Sequence, residues 1–327
     1  MAAKTFNNKT GSITIDSKIP EPKTTHEDLG ITALMNSKTQ NQPIEITITG
    51  IEPVKLNRDA APVMMPVSMY HGYKIIIPRE HFIPIESYGE DIKTEEDLTK
   101  RIFRYNSAKV DIIPQSFIPA SKVCVASRIE AMKIKKDEMW FALNRKADGT
   151  TEYLLQPGSK VEARVINAVR GAVFIEIFGV ESAVLAKNVA WYRIDNCRNK
   201  YKSGDTVFVI LNNVIRDEEL KTVTYEASIK DAYPDPRDNA FARYVRGGVY
   251  EGRVTMLNTN PEITDRSGAF VRLGRDEEDK IDVYCNYPKG VLPIIGDYVT
   301  VGIQDKDPNT KRIWGNILHI ERQHEIH

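Results

Sequence analysis

Apolar and polar residues alternate in short runs along most of the chain, the period-2 pattern of strands with one buried face. The runs KVEARVIN (160–167), DTVFVIL (205–211) and KTVTYEAS (221–228) show it best, with Gly, Asn and Asp marking the turns between them. RGAVFIEIF (170–178) departs from the pattern: Ala172, Phe174 and Phe178 fall on one side, and Val173, Ile175 and Ile177 on the other. A strand that is apolar on both sides is expected to be covered on both. Helical spacing is confined to 93–104, 127–143 and 236–244. The first reads as an insertion, the other two as links between strand units. The second starts at Ser127 with Glu130 three residues on, a capping-box pattern, and its Ile129, Met132, Met139 and Phe141 are expected to pack on a neighbouring unit. Residues 1–43 are rich in Thr, Asn, Lys, Ser and Pro and poor in aromatics, which predicts an extended or disordered N-terminal arm.

The strand runs recur in a fixed order. VEARV (161–165) matches YEGRV (250–254), GAVF (171–174) matches GAFV (268–271), and SGDTVFVIL (203–211) matches IGDYVTVGI (295–303). A fainter copy lies upstream in PIEITITGIE (43–52), SAKVDIIP (107–114) and VCVASRIEAM (123–132), the last pairing with VTYEASIKDA (223–232). Three related units follow, at 44–143, 157–232 and 246–322. About five strands in roughly 75 residues is the density of a small barrel. The fold class predicted is mainly β, with tandem five-stranded barrels and short linking helices.

Composition narrows what such barrels do. The 327 residues are 41% hydrophobic and 28% charged, which suits several packed soluble domains. Lys plus Arg total 45 and Asp plus Glu total 45, so no whole-molecule field draws in nucleic acid or an anionic membrane, and any such binding is local. Cys124, Cys197 and Cys285 are far apart and form no CxxC pair, which argues against a disulfide framework or a zinc site and fits a reducing cytoplasm. No window approaches the ~20 apolar residues of a membrane span, and the start of the chain lacks the apolar region of a signal peptide. The sequence has no phosphate-binding glycine loop, no nucleophile elbow, and no metal-ligand spacing among its six histidines. Neither catalytic residues, nor a cofactor, nor a metal is expected.

The order G-x-x-V, G-A-F-V, G-D-x-V-x-V and a closing strand ending in serine is similar to the S1-type RNA-binding domain, an OB-type barrel. Residues 157–232 resemble the whole domain, 246–322 resemble it through SGAFVRL and IGDYVTVGI, and 44–143 is a divergent copy with a helical insertion. Together the units resemble multi-domain proteins of this type from low-GC Gram-positive bacteria and their phages. The resemblance implies a platform where bases stack, made by two aromatics around the G-A-F-V glycine and a histidine on the next strand, in a basic groove. Stacking of this kind is tolerant of base sequence because every base has a π-face. In the second unit these positions fall on Arg170, Val173 and Leu185, and of the three only Arg170 offers a planar group. In the third they fall on Ser267, Phe270 and Tyr284, with Arg253, Arg266 and Arg272 as nearby cations. The same resemblance assigns Phe174 and Ile177 to the core of the second barrel.

WYRIDNCRNKYK (191–202) is the densest basic and aromatic mixture in the chain, with Arg193, Arg198, Lys200 and Lys202 among Trp191, Tyr192 and Tyr201. As the crossover between the third and fourth strands it either borders a single-stranded nucleic-acid groove or closes the barrel bottom with Trp191 and Tyr192. The basic residues Arg128, Lys133, Lys135 and Lys136 of the linker helix either face solvent or touch a phosphate. RDEEL (216–220) and RDEEDK (275–280) are acidic hairpin tips that would repel a phosphate backbone. The function expected is non-enzymatic binding of single-stranded RNA through Arg170, Arg193, Arg198, Lys200, Lys202, Arg253, Phe270, Arg272 and Tyr284. The alternative is a scaffold subunit of a multi-chain assembly such as a phage particle, with the barrel faces and residues 1–43 making contacts to a protein partner or a second copy.

Overall fold

The structure, a computed structural model, describes residues 4–6, 13–15, 26–55, 61–84, 92–146, 149–258, 268–276, 279–288 and 291–321. Two short strands, β1 (Lys4–Phe6) and β2 (Ile13–Ile15), pair antiparallel. Helix α1 (His26–Gln40) corrects the expectation of an arm for these residues. Ile31 and Leu34, three apart and so on one helical face, dock on the core of the first unit. Gly30 passes so near His71 that a Cβ would stand 2.5 Å from the His71 Cβ. A composition average conceals a stripe this narrow. The remaining residues of 1–25, and with them an arm that reaches a partner, lie outside the described residues.

The first unit contains β3 (Ile44–Thr47), β4 (Gly50–Val54), β5 (Val63–Tyr70), β6 (Tyr73–Ile76), α2 (Glu95–Phe103), β7 (Lys109–Ile118) and β8 (Val123–Ser127). The strand order is β3-β7-β8-β6-β5-β4, with β6 and β8 parallel. β3 and β4 are halves of one first strand, broken at Ile48 and Thr49, and they pair at opposite ends of the sheet. At the break, the amides of Ile48 and Thr49 donate to Ala108 O and Val67 O, both at 2.9 Å, and Ile48 O accepts from Ser107 N at 2.9 Å, so the interruption keeps these groups paired. α2 lies between the third and fourth strands and puts Leu98 and Ile102 into the core. Its start carries a reciprocal capping box between Thr94 and Asp97. At Ser127 only one half forms: Ser127 Oγ accepts from Glu130 N at 3.3 Å, while Gln115 Nε2 donates to the Glu130 carboxylate at 2.5 Å.

α3 (Arg128–Trp140) leads through a hairpin of β9 (Leu143–Arg145) and β10 (Thr151–Tyr153) into the second unit. This unit comprises β11 (Lys160–Ala168), β12 (Ala172–Ile177), β13 (Val180–Leu185), β14 (Thr206–Asp217) and β15 (Thr222–Ser228), in the order β13-β12-β11-β14-β15. Ser182 on β13 donates to Tyr225 O on β15 at 2.9 Å and draws the two edges together. After α4 (Arg237–Arg243), the third unit runs β16 (Val249–Asn258), β17 (Gly268–Leu273), β18 (Ile281–Asn286), β19 (Tyr298–Asp307) and β20 (Arg312–Glu321). It is a closed barrel, ordered β16-β17-β18-β20-β19, with β18 and β20 parallel. Even the bulges repeat: the first strand shifts register at Val165/Asn167 in one unit and at Val254/Met256 in the other, and the fourth at Leu211/Asn213 and Ile303/Asp305. Bulges bend strands enough to close so small a sheet. The fold is mainly β, built of OB-type barrels.

Helix α3 belongs to two units at once. It packs on the first barrel, and its last residue, Trp140, is fully buried in the core of the second, stacked on Tyr225 at 5.0 Å with Nε1 donating to Ile177 O at 2.9 Å. Met139 and Phe141 pack on the same core, as the sequence suggests.

The two faces of RGAVFIEIF now separate. Val173, Ile175 and Ile177 fill the second barrel, whereas Phe174 packs against the core of the first unit, together with Ile166. Assigning Phe174 to its own barrel's core is thus corrected, while Ile177 is where it was expected. Glu176, on the Phe174 side, is buried against Arg128, which also donates to Glu181 and, at 3.0 Å, to Phe82 O. The Arg128 guanidinium lies 5.2 and 4.8 Å from the ring centres of Phe82 and Tyr105. Burial opposes its charge, but the facing Glu181 and Glu176 carboxylates outweigh that and hold it protonated. Arg164 extends the network to Glu176 and Asp111, and Lys135 Nζ reaches Asp111 at 2.5 Å. Gly179 and Gly204, both with positive φ, complete the joint. A Cβ would lie 2.2 Å from Met132 O at the first and 2.7 Å from Ser107 O at the second.

Candidate nucleic-acid interface

On the third barrel, cross-strand register aligns four large side chains in one row. Met256 faces Phe270, Phe270 faces Tyr284, and Tyr284 faces Trp314 across the parallel β18–β20 pair. They alternate with the inward-pointing Ala269, Val271, Val283, Cys285 and Ile313, so the row lies on the outer face, each member half-buried. Phe270 and Tyr284 meet edge to face, 5.2 Å between ring centres. Sequence reasoning placed these two and missed Trp314. Its position beside Tyr284 depends on a strand pairing that no local pattern carries. Ser267 and Arg266 lie outside the described residues.

The second barrel lacks such a row. Asn167 and Phe174 face each other across its bulge as Met256 and Phe270 do in the third, so Phe174 occupies the Phe270 position. The alignment of GAVF with GAFV is out of step by one residue. Val173, expected at an aromatic platform position, is a fully buried core residue, and Ala183, not Leu185, stands opposite Phe174. The face that carries aromatics in the third barrel is covered in the second by the first unit, with Arg104 5.8 Å from the Phe174 ring centre.

The cations divide into two kinds. Arg272 forms a joint: its Nε lies 3.0 Å from Asp282 Oδ1, it donates to Arg193 O, and it lies 4.4 Å from the centre of the Tyr192 ring. Arg193 N closes the joint by donating to Asp282 Oδ2 at 2.9 Å. The sequence placed Arg272 among the ligand cations, but the structure gives it a carboxylate partner. Arg253 is exposed, with Nε donating to Gly296 O at 3.2 Å and its guanidinium 5.9 Å from the Tyr298 ring centre. Arg170 donates to Asp195 O at 3.4 Å, and Arg198 to Ala168 O at 3.3 Å. The Arg193 side chain is exposed beside Asp195 at 3.7 Å, a pair of little energetic weight. Lys200 Nζ is 3.0 Å from Tyr192 Oη, and Lys202 is exposed.

Trp191 and Tyr192 are half-buried and outside the barrel core, so they do not close its bottom. They line a cleft of about 570 Å³ between the second and third barrels, together with Arg193, Lys187, Lys230 and Arg237, and Met256 and Phe270 open onto the same cleft. Lys230 and Arg237 lie 5.1 and 4.9 Å from the Trp191 ring centre. The aromatic row therefore runs into a basic, aromatic-walled groove. Among the described residues, no three His, Cys, Asp or Glu side chains gather as metal ligands, and no helix is long and apolar enough to cross a membrane.

Comparison with known proteins agrees with the barrel assignment. Residues 154–221 match the family model of the S1 RNA binding domain. The small ribosomal subunit protein bS1 of Mycolicibacterium smegmatis is 26% identical over 232 residues, covering 62% of this chain and 46% of that protein. The bS1 of Staphylococcus aureus strain COL is 25% identical over 231 residues, 62% of this chain and 56% of that one. A 4-hydroxy-3-methylbut-2-enyl diphosphate reductase of Clostridium acetobutylicum is 27% identical over 207 residues, 63% of this chain but 28% of the reductase. The chain thus spans about half the length, or less, of the curated relatives it matches. A solved multidomain protein with nucleic acid binding domains from Streptococcus pneumoniae aligns over 85% of this chain and 73% of that one at 12% identity, with a TM-score of 0.20, too low to carry an argument.

Proposed function

We propose that this chain, which carries an S1-type RNA-binding domain as its middle barrel, binds single-stranded RNA without acting on it as an enzyme. The observation that carries this reading is the row Met256–Phe270–Tyr284–Trp314, a sequence-tolerant stacking surface set beside a basic groove. In this reading Phe270, Tyr284 and Trp314 stack bases, Arg253 and the exposed Arg170, Arg193, Arg198, Lys200 and Lys202 meet phosphates, and Arg272 holds the groove in shape. The likeness to ribosomal proteins of the small subunit supports the same class of ligand. A reducing, cytoplasmic setting is part of the reading, since Cys124, Cys197 and Cys285 are buried free thiols. Burial pushes the Cys124 and Cys285 thiols up to about 12, so they stay protonated and unreactive.

The test is fluorescence anisotropy with a labelled oligouridylate of about 15 nucleotides, titrated at several salt concentrations. Micromolar or tighter binding that falls steeply with salt is expected, with Phe270→Ala or Tyr284→Ala weakening it about 5- to 150-fold. The matching DNA oligomer separates RNA from general single-strand binding. Absence of binding at low salt overturns the reading.

A further inference from the structure

We infer that a second pocket, separate from the Phe270–Tyr284–Trp314 row, takes one unpaired nucleotide between the second-barrel crossover and the 229–239 linker. The base would rest against Trp191, Tyr201 and Tyr233, and the phosphate against Lys200 and Lys230. This deepens the RNA-binding reading and rests on it. The cavity measures about 550 Å³ and is walled by those aromatic rings together with Tyr192, Ile229 and the flanking Pro234 and Pro236. Its volume falls within the ~300–1,000 Å³ of small-ligand sites.

Three features point to a nucleotide. Aromatic walls suit a planar base, whichever base it is. The rim is cationic: Lys230 lies 5.1 Å from the Trp191 ring centre, Lys200 5.1 Å from Tyr192, and Lys160 5.7 Å from Tyr233. The one carboxylate among the lining residues, Asp235, is already held by Arg237 at 2.8 Å, so the pocket favours an anion even though the whole chain is neutral. Cations beside ring faces match a ligand whose phosphate and base are joined by a short sugar.

The walls are also held in place before any ligand arrives. Lys230 Nζ donates to Lys187 O at 2.9 Å, Ile229 N donates to Asn188 O at 2.9 Å, and Pro234 and Pro236 fix the linker backbone. A pocket built this way loses little freedom on binding. Trp191 and Tyr192 line both this pocket and the cleft reached by Phe270, so a strand leaving the row meets the pocket next. The second barrel, whose strand face is covered by the first unit, would thus contact RNA through its crossover instead.

The experiment uses the full chain and the same oligouridylate, with 4-thiouridine substituted for photo-crosslinking and peptide mapping. Tyr233 is 47% exposed, so its replacement leaves the core intact. Tyr233→Ala is expected to weaken binding about 5- to 150-fold, Tyr233→Phe to restore it, and Lys230→Gln to lower the salt dependence. Crosslinks are expected at Trp191, Tyr201 or Tyr233. If the oligomer binds, responds to Phe270→Ala, and ignores Tyr233→Ala, the pocket is overturned and the row stands. Crosslinks confined to the third barrel overturn it as well. A wild-type chain that fails to bind at low salt overturns both.

Discussion

Arg128 and Glu176 meet across the junction of the first two barrels, Nη2 to Oε2 at 3.0 Å, each side chain 1% exposed. The pair joins the first turn of the linker helix to β12 of the next barrel, so the two units hold a fixed orientation. Taking Arg128 away removes a buried partner from both Glu176 and Glu181, leaving Arg164 as the cation that still reaches Glu176. Arg128→Ala is therefore expected to cost about 3–5 kcal/mol. Arg128→Met combined with Glu176→Leu, which removes both charges, should cost less. The urea midpoints of the three proteins check the order.

The neighbouring Asp111 carries a dependence on pH. Burial pushes its carboxyl up, but the hydrogen bonds and charges of Arg164 and Lys135 outweigh burial and hold its pKa below the ordinary carboxylate value. A pKa lowered on folding contributes stability that is present above the unfolded value, near 3.9, and lost as pH falls through the folded one. Wild type should therefore exceed Asp111→Asn in stability at pH 7, with the gap narrowing below about pH 4. Denaturation midpoints across pH 3–7 measure it; a gap that widens on acidification would contradict the assignment.

Gly179 and Gly158 both have positive φ, at 79° and 91°, but only Gly179 presses on a neighbour. A Cβ at Gly179 collides with the Met132 backbone, whereas nothing lies within 4 Å of one at Gly158. Gly158→Ala should cost about 1 kcal/mol, the penalty of a left-handed alanine. Gly179→Ala should cost about 1–3 kcal/mol more, and hydrogen exchange should rise along α3 and β12 in that variant alone.

Arg253 and Arg272 face each other across β16 and β17, yet among the described residues only Arg272 is matched by a carboxylate, Asp282. If both touched phosphates freely, each replacement would shift the salt slope alike. Arg253→Gln is expected to lower the slope of log K against log salt by about 0.7, the single-strand value per contact. Arg272→Gln should change the slope less and loosen the second barrel from the third, seen as faster proteolysis between them.

Trp314 extends the stacking row by one side chain and lies outside the third core. Trp314→Ala should weaken oligouridylate binding by about 1–3 kcal/mol while shifting the thermal midpoint little. Anisotropy and thermal melting on the same sample distinguish a lost contact from a damaged fold.

Much of this protein is local and therefore legible in its sequence. The strand segments and their turns follow from alternation and turn residues that a strand carries within itself. Phe270 is legible from the GAFV motif and Tyr284 from the position that the resemblance gives on the next strand, and both face outward. Chain composition excluded a whole-molecule electrostatic pull for a similar reason: it needs only counting.

Tertiary structure decided everything that depends on which strands meet and which surfaces are covered. The same bulge falls at Val165/Asn167 and at Val254/Met256, so register pairs Asn167 with Phe174 as it pairs Met256 with Phe270, and the glycines of GAVF and GAFV stand one residue out of step, which a gapless motif match conceals. Only docking of the first unit covers Phe174, which explains a strand apolar on both sides. Trp314 reaches the row through a parallel pairing with β18, and Asp282 turns Arg272 from a ligand cation into a joint. Alternation records which side of a strand is apolar; what covers that side is set by contacts between residues distant in the chain.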